Sequence, residues 1–461
     1  MAIIFTKEVS YLHLRCNATL GGISIFAIMH RISIGNNMRN GYDVESLVEI
    51  ICAKMFFSDF VVRNPTYTKN GGTEKEAADL LVPFNNYLLA FQVKSKVERN
   101  KASEKTPIDF ERITKITNNA VEQLKTIKRV LENNWLKDIE TVKGYKIPFL
   151  PKNFSHIIGI VIVDLIGEEK FSWDERTGFI GNYVFRHNMP IHIFMRDEFE
   201  ALSTELDTLP DLVRFLDIRQ QLIERGLFLL PVPILDFLAF YKTDPDEVDR
   251  ALENNINLLL DDGMWKTYQD EFVSVIKRRN ELNKQSYLVD AIIDYLHTSV
   301  GFSSFDHIAQ ELGIKGQGSI KGYLTSAREL ASLSRLERRV LGERLLRCMR
   351  NAETKEQSYS LVMKDQEASA ILVLSKSGDR EERQKRLYLL CAMAYCLLNL
   401  NQIIGIATEP LEVSNRSYDV FGLKESKFVN HNELAEQAKN FFSRPYAPDI
   451  TEYQGKMDQD A

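Results

Sequence analysis

The stretch Glu76-Ala77-Ala78-Asp79-Leu80-Leu81-Val82-Pro83-Phe84-Asn85-Asn86-Tyr87-Leu88-Leu89-Ala90-Phe91-Gln92-Val93-Lys94 holds two apolar runs separated by a pair of asparagines. Ala78–Val82 reads as a buried strand, Asn85-Asn86 as a hairpin turn, and Tyr87–Val97 as the partner strand. Side chains alternate across a strand, so Gln92 and Lys94 point the same way. Asp79, on the neighbouring strand, comes level with them. A carboxylate, an amide and an ammonium thus gather on an otherwise apolar hairpin.

Upstream, Val44, Leu47, Val48, Ile51, Cys52, Met55 and Phe56 recur at helical spacing and predict a helix over 43–57. It carries Glu45 and Glu49, one turn apart, either of which can reach the hairpin; Glu45 has the better spacing from Gly41. Phe60–Val62 reads as a short strand, and Pro65–Thr73, with Gly71-Gly72, as a turn or loop. Downstream, the pattern predicts a long helix over 108–133, a buried strand over 156–165 and another over 191–195. The expected fold of residues 41–200 is α/β, a mixed sheet flanked by helices. Residues 201–285 read as a helical connector. Residues 286–461 read as a second α/β domain with strands near 358–363, 368–374 and 403–408 and a helix over 384–400. Residues 1–40 have no clear period. They read either as an added strand pair or as a segment preceding a start at Met29 or Met38.

The apolar fraction of 44% and charged fraction of 26% are ordinary for a globular chain, and 461 residues suit two or three domains. The net charge of -6 argues against nonspecific coating of nucleic acid but leaves room for a local basic groove. Five cysteines without a C-x-x-C pair suit a reducing cytosol, with Cys391 and Cys396 as small buried hydrophobes. Apolar runs fall short of a membrane span, and Met1–Cys16 lacks a signal-peptide form. The expectation is a cytoplasmic protein without a membrane partner.

Phosphodiester hydrolysis uses groups of the hairpin's kind. A hard cation takes one or two carboxylates plus neutral oxygens and water, and a lysine stabilises charge developing on phosphoryl oxygens. The pattern Gly41-x-x-x-Glu45, then Asp79, then Gln92-x-Lys94, then a helix with Gln123, resembles the PD-(D/E)XK nuclease superfamily. Its glutamine form is similar to the Mrr-type branch of restriction enzymes. The resemblance covers residues 41–200 and implies a restriction-endonuclease-like sheet. It implies catalytic roles for Asp79, Gln92, Lys94 and Glu45, with Mg²⁺ or Mn²⁺ held by Asp79, Gln92 and Glu45. Gln123 falls where members place a helix polar residue that supports the site. Two departures stand out: Ala78 replaces the proline before Asp79, and neutral Gln92 replaces an acid, which weakens a metal site. The implied activity is metal-dependent DNA cleavage, in a bacterial antiviral or restriction setting. A homodimer is expected, because cutting both strands needs two sites. The alternative is a nuclease-like protein that binds nucleic acid or regulates but no longer cuts.

Lys96, Arg99, Lys101 and Lys105 continue from the hairpin and suit backbone phosphates, although a bare charge run is also an ordinary solvated loop. Phe305–Leu330 loosely follows helix-turn-helix spacing, but two packed core helices are the favoured account of it. The arginines between Arg335 and Arg350 read as a solvated helix face. His187 and His192 read as structural, having no partners at metal-ligand spacing. The absence of a phosphate-binding loop and of a nucleophile elbow excludes P-loop and serine-hydrolase readings.

Overall fold

In a computed structural model the chain divides into two compact units, which meet in sequence between Arg278 and Arg279. The structure describes residues 41–57, 60–69, 72–96, 110–136, 138–140, 146–165, 182–229, 232–298, 320–364, 368–414, 416–424, 428 and 430–442. Both units are mixed α/β, and neither is a barrel.

The first unit opens with α1 (Gly41–Phe56), followed by β1 (Val62–Arg63), β2 (Thr66–Thr68), β3 (Glu74–Glu76), β4 (Leu80–Phe84) and β5 (Tyr87–Lys96). Helix α2 (Phe110–Glu132), a small hairpin β6 (Asp138–Glu140) and β7 (Lys146–Pro148), then β8 (His156–Leu165), β9 (Tyr183–Arg186) and β10 (Met189–Met195) complete the sheet region. Six strands form the main sheet in the order β1-β4-β5-β8-β10-β9. Its three central strands, β5, β8 and β10, are parallel, and the others pair antiparallel. Asn85, at φ 50°, makes the tight β4–β5 turn, a left-handed conformation that asparagine tolerates.

The alternation along β5 sorts its side chains between two cores. Leu88 and Ala90 join Val161, Val163, Ile191 and Ile193 beneath the apolar stripe of α2, formed by Ile113, Ala120, Val121, Leu124 and Ile127. The helix rides close to the sheet because Gly159 has no side chain; a Cβ there would stand 2.8 Å from Leu124. On the opposite face Phe91 meets Phe199 edge-on at 5.9 Å. Phe199 belongs to α3 (Arg196–Glu205), which packs with α1 on that side. The unit continues through α4 (Leu209–Glu224), α5 (Ile234–Thr243), α6 (Pro245–Asn254), α7 (Met264–Glu271) and α8 (Val273–Asn283), the last of which crosses the boundary between the units. Residues 201–278 thus fall in the same unit as the six-stranded sheet.

Under α3 and α4 lie several buried polar groups. His192 is fully buried, stacked on Phe194 and tilted against Tyr183, and burial, aided by Arg219, pushes its pKa down. Glu198 accepts from the Met195 N–H at 2.7 Å and the Asn182 amide at 3.3 Å. Burial pushes its carboxyl up to about 7, against the pull of those donors and of Arg219. A raised folded pKa means that the native state holds an extra proton between pH 4.5 and 7, so this group's contribution to stability falls as pH rises through that window. Glu198→Gln removes the titration and leaves His192 in place. Its stability relative to wild type is expected to improve by about 2 kcal/mol between pH 5 and 8. Urea unfolding at several pH values checks this, and a pH-independent difference would refute it.

The second unit contains α9 (Ser286–Thr298), α10 (Ile320–Ala331), α11 (Arg335–Lys355), β11 (Gln357–Lys364), β12 (Ser369–Lys376), α12 (Arg380–Leu397), β13 (Gln402–Thr408), β14 (Tyr418–Lys424) and α13 (His431–Phe441). Its sheet has the order β11-β12-β13-β14, with a parallel central pair linked through α12. Cys391 and Cys396 lie on α12 and are buried in this unit's core. The first arginines of α11 correct one expectation, while Arg347 and Arg350 are exposed as expected. Arg338 and Arg339 are 1% and 6% exposed rather than solvated. Arg335 and Arg338 both reach Asp290 of α9, at 2.7 and 2.8 Å, and Arg339 donates to Asn283 at 2.6 Å. Partners on neighbouring helices, invisible to a periodicity within α11, are what turn these charges inward.

Candidate active site

The three residues singled out on the hairpin meet at the carboxyl end of β5. The last regular pair of the β4–β5 ladder is Leu80 with Phe91, which brings Asp79 opposite Gln92. Beyond it the side chain of Asp79 takes over from the backbone: its Oδ2 accepts the Val93 N–H at 2.5 Å. Lys94 Nζ donates to Gln92 Oε1 at 3.2 Å and lies 3.9 Å from Asp79 Oδ2. Gln92 is buried, while Asp79 and Lys94 are 14% and 26% exposed, so solvent reaches the group from one side.

The register explains why Asp79 turns this way. Arg63 pairs with Leu80, yet Thr66 pairs with Glu76, so Asn64-Pro65 face three residues, Ala77-Ala78-Asp79. Two residues opposing three is the count of a β-bulge, which kinks its strand and re-aims a side chain. Asn64, at φ 46°, donates its N–H to the Asp79 carbonyl at 2.9 Å. Its side-chain nitrogen, oriented toward its two acceptors, reaches the same carbonyl at 2.9 Å and Glu76 Oε1 at 3.2 Å.

Three carboxyl groups share this field. Burial pushes the Asp79 carboxyl up, against the Val93 N–H and Lys94, which hold it down. Glu45 is raised by burial and by Asp79, and lowered by Arg63 and Lys94. Glu76 is raised by burial, then by Asp79 and Glu45. Glu49, the competitor of Glu45, is engaged with Arg63 at 2.9 Å.

The other expected residues are placed differently. Gln123 is exposed on α2, next to Leu124, and among the described residues no hydrogen bond or ion pair ties it to Asp79, Gln92 or Lys94. Lys96 ends β5, whereas Arg99, Lys101 and Lys105 lie outside the described residues. So does most of the helix-turn-helix-like segment. His187 stands 3.4 Å from Glu122 and His192 is core, which keeps both away from the hairpin group. Asn64 and Glu76 escaped the sequence reading. The signal available was Glu76 itself, three residues before Asp79, on a strand that starts just after the expected Pro65–Thr73 loop.

The donors present are hard oxygens, Asp79, Glu45 and the Gln92 amide, in keeping with Mg²⁺ or Mn²⁺ rather than a softer ion. Among the described residues no group of three or more His, Cys, Asp or Glu side chains is arranged to hold a metal ion. Two carboxylates and an amide, completed by water and substrate oxygens, remain a fitting set, because Mg²⁺ usually takes only one or two protein carboxylates. Compared with protein-family models, with curated proteins and with solved structures, the chain matches none. No helix among the described residues is long and apolar enough to cross a membrane.

Proposed function

We propose that the first unit is a PD-(D/E)XK-like nuclease that hydrolyses DNA phosphodiester bonds with the help of Mg²⁺ or Mn²⁺. The observation that carries this reading is the convergence of Asp79, Gln92 and Lys94 at the carboxyl end of a parallel strand. That end of an open α/β sheet is where ligands bind. Asp79, Gln92 and Glu45 would hold the cation. When bound, it acidifies a water and neutralises charge on the phosphoryl oxygens. The Lys94 ammonium orients the attacking water and meets the negative charge that grows in the transition state. Bacterial defence or restriction is the setting that the resemblance implies, and a dimer would present two sites to two strands.

A second reading has its own support. Gln92 is neutral, and the Val93 N–H already engages Asp79 Oδ2. On that reading the unit binds nucleic acid without cutting it.

Incubating purified full-length protein with supercoiled plasmid or single-stranded DNA, in Mg²⁺, Mn²⁺ or EDTA, separates the two. The expected result is metal-dependent cutting that disappears in EDTA and in Asp79→Ala. Absence of cutting on every substrate, with DNA binding intact and unchanged by the substitution, would establish the binding-protein reading instead.

A further inference from the structure

We infer that Glu76, held by Asn64, supplies the site with the negative charge that neutral Gln92 withholds, and so sets its affinity for a divalent cation. This rests on the nuclease reading above.

The argument begins with charge. Asp79 and Glu45 are acidic, Gln92 is neutral and Lys94 is cationic, which leaves one net negative charge around the ligand oxygens. A divalent cation is poorly matched to a single charge. Arg63 stands close enough to act on Glu45 and Glu76, but its guanidinium is engaged by Glu49. Glu76 is a further carboxyl group of this field, and counting it brings the net charge of these groups to minus two.

Glu76 is also positioned. It is the last residue of β3 and lies three residues before Asp79, on the near side of the bulge. Asn64 spans the bulge, with one side-chain nitrogen serving both the Asp79 carbonyl and Glu76 Oε1. A single amide thereby fixes the carboxylate of Glu76 relative to the backbone that aims Asp79. The left-handed conformation of Asn64 suits asparagine above other side chains, so one residue meets both the backbone and the bridging requirement. Glu76 itself is exposed, so a cation and its hydration shell can approach it. It acts on the cation through space or through bound water, as an outer carboxylate does in metal sites.

Mn²⁺ binding to the full chain, followed by electron paramagnetic resonance and calorimetry, tests this without reference to cleavage. Four proteins are compared: wild type, Asp79→Asn, Glu76→Gln, and Glu76→Gln combined with Gln92→Glu. Glu76→Gln is expected to weaken Mn²⁺ binding about tenfold, within the range of outer-shell substitutions, with an unchanged melting temperature. Gln92→Glu, which returns the lost charge at a ligand position, is expected to recover the binding. Unchanged affinity in Glu76→Gln overturns the inference and leaves the nuclease reading standing. Weakening that Gln92→Glu does not recover overturns it as well, since Glu76 then acts through structure and not charge. Wild-type protein with no Mn²⁺ site sensitive to Asp79→Asn would instead bring down the nuclease reading itself.

Discussion

Lys94→Ala is expected to lower the rate of metal-dependent DNA cleavage by about 10²- to 10³-fold, the usual consequence of removing one group that stabilises developing transition-state charge. The ammonium lies 3.2 Å from Gln92 Oε1 and 3.9 Å from Asp79 Oδ2, two of the oxygens that would hold a cation, and its side chain is partly exposed. In the ground state it gains little from that position, because a partly exposed ion pair is worth at most about 1 kcal/mol. Its value appears only when charge grows on the phosphoryl oxygens. The loss should therefore fall on kcat, with KM and the melting temperature nearly unchanged. Lys94→Arg keeps the charge but replaces a compact donor with a planar fork, so most of the activity should stay lost. Single-turnover cleavage of a labelled duplex measures the rate. Wild-type rates in Lys94→Ala would remove Lys94 from the chemistry, and with it the strongest reason to read this site as a nuclease.

The hairpin was legible in the sequence because several signals agreed there. Two apolar runs flank an Asn-Asn turn, and the period of two along β5 sends Gln92 and Lys94 to one face. The bulge was not legible. Strands β2 and β3 have three residues each and are mostly exposed, so neither carries an alternation to read, and Pro65–Thr73 passed for a loop. Missing them meant missing Asn64 as a clamp and Glu76 as a neighbour of Asp79. Strand β9 was lost for a similar reason, with four residues of which one is buried. In the second unit the helix over 384–400 was expected four residues late. That left Arg380 and Arg383, in the first turns of α12, outside it. The strand β14, which carries Asp419, was not expected at all. Partners brought together from an unexpected strand and the overlooked start of a helix leave no trace in either segment alone.

Those missed residues form a densely connected polar group in the second unit, and Arg383→Met is expected to destabilise the protein by about 3–5 kcal/mol, the cost of stripping one partner from a buried ion pair. Asp419, 1% exposed, accepts from Arg380 Nε at 2.9 Å, from Arg383 Nε and Nη2 at 3.1 and 2.9 Å, and from Gln384 Nε2 at 2.8 Å. Arg383 also donates to Glu409 Oε1 at 2.8 Å and to Ser417 Oγ at 2.6 Å. Methionine keeps the aliphatic stem and much of the volume, so the loss reports on charge more than on packing. Arg380 stays behind, but its side chain is half exposed. Pairing Arg383→Met with Asp419→Leu should recover part of the loss, because removing both charges ends the desolvation penalty that removing one leaves behind. Acid adds a second signature. Burial pushes Glu409 up, yet Ser417 and Arg383 together hold its carboxyl below the ordinary 4.5. A depressed folded pKa contributes stability above pH 4.5 that disappears as pH falls through the folded value, so the gap between wild type and Arg383→Met should narrow as pH falls below 4.5. Urea unfolding of the full chain at pH 7 and pH 4, read by a probe in the second unit, measures both effects. A loss under about 1 kcal/mol at pH 7, typical of solvated surface pairs, would mean that water reaches this network and that α12 is held to the sheet by its apolar face alone.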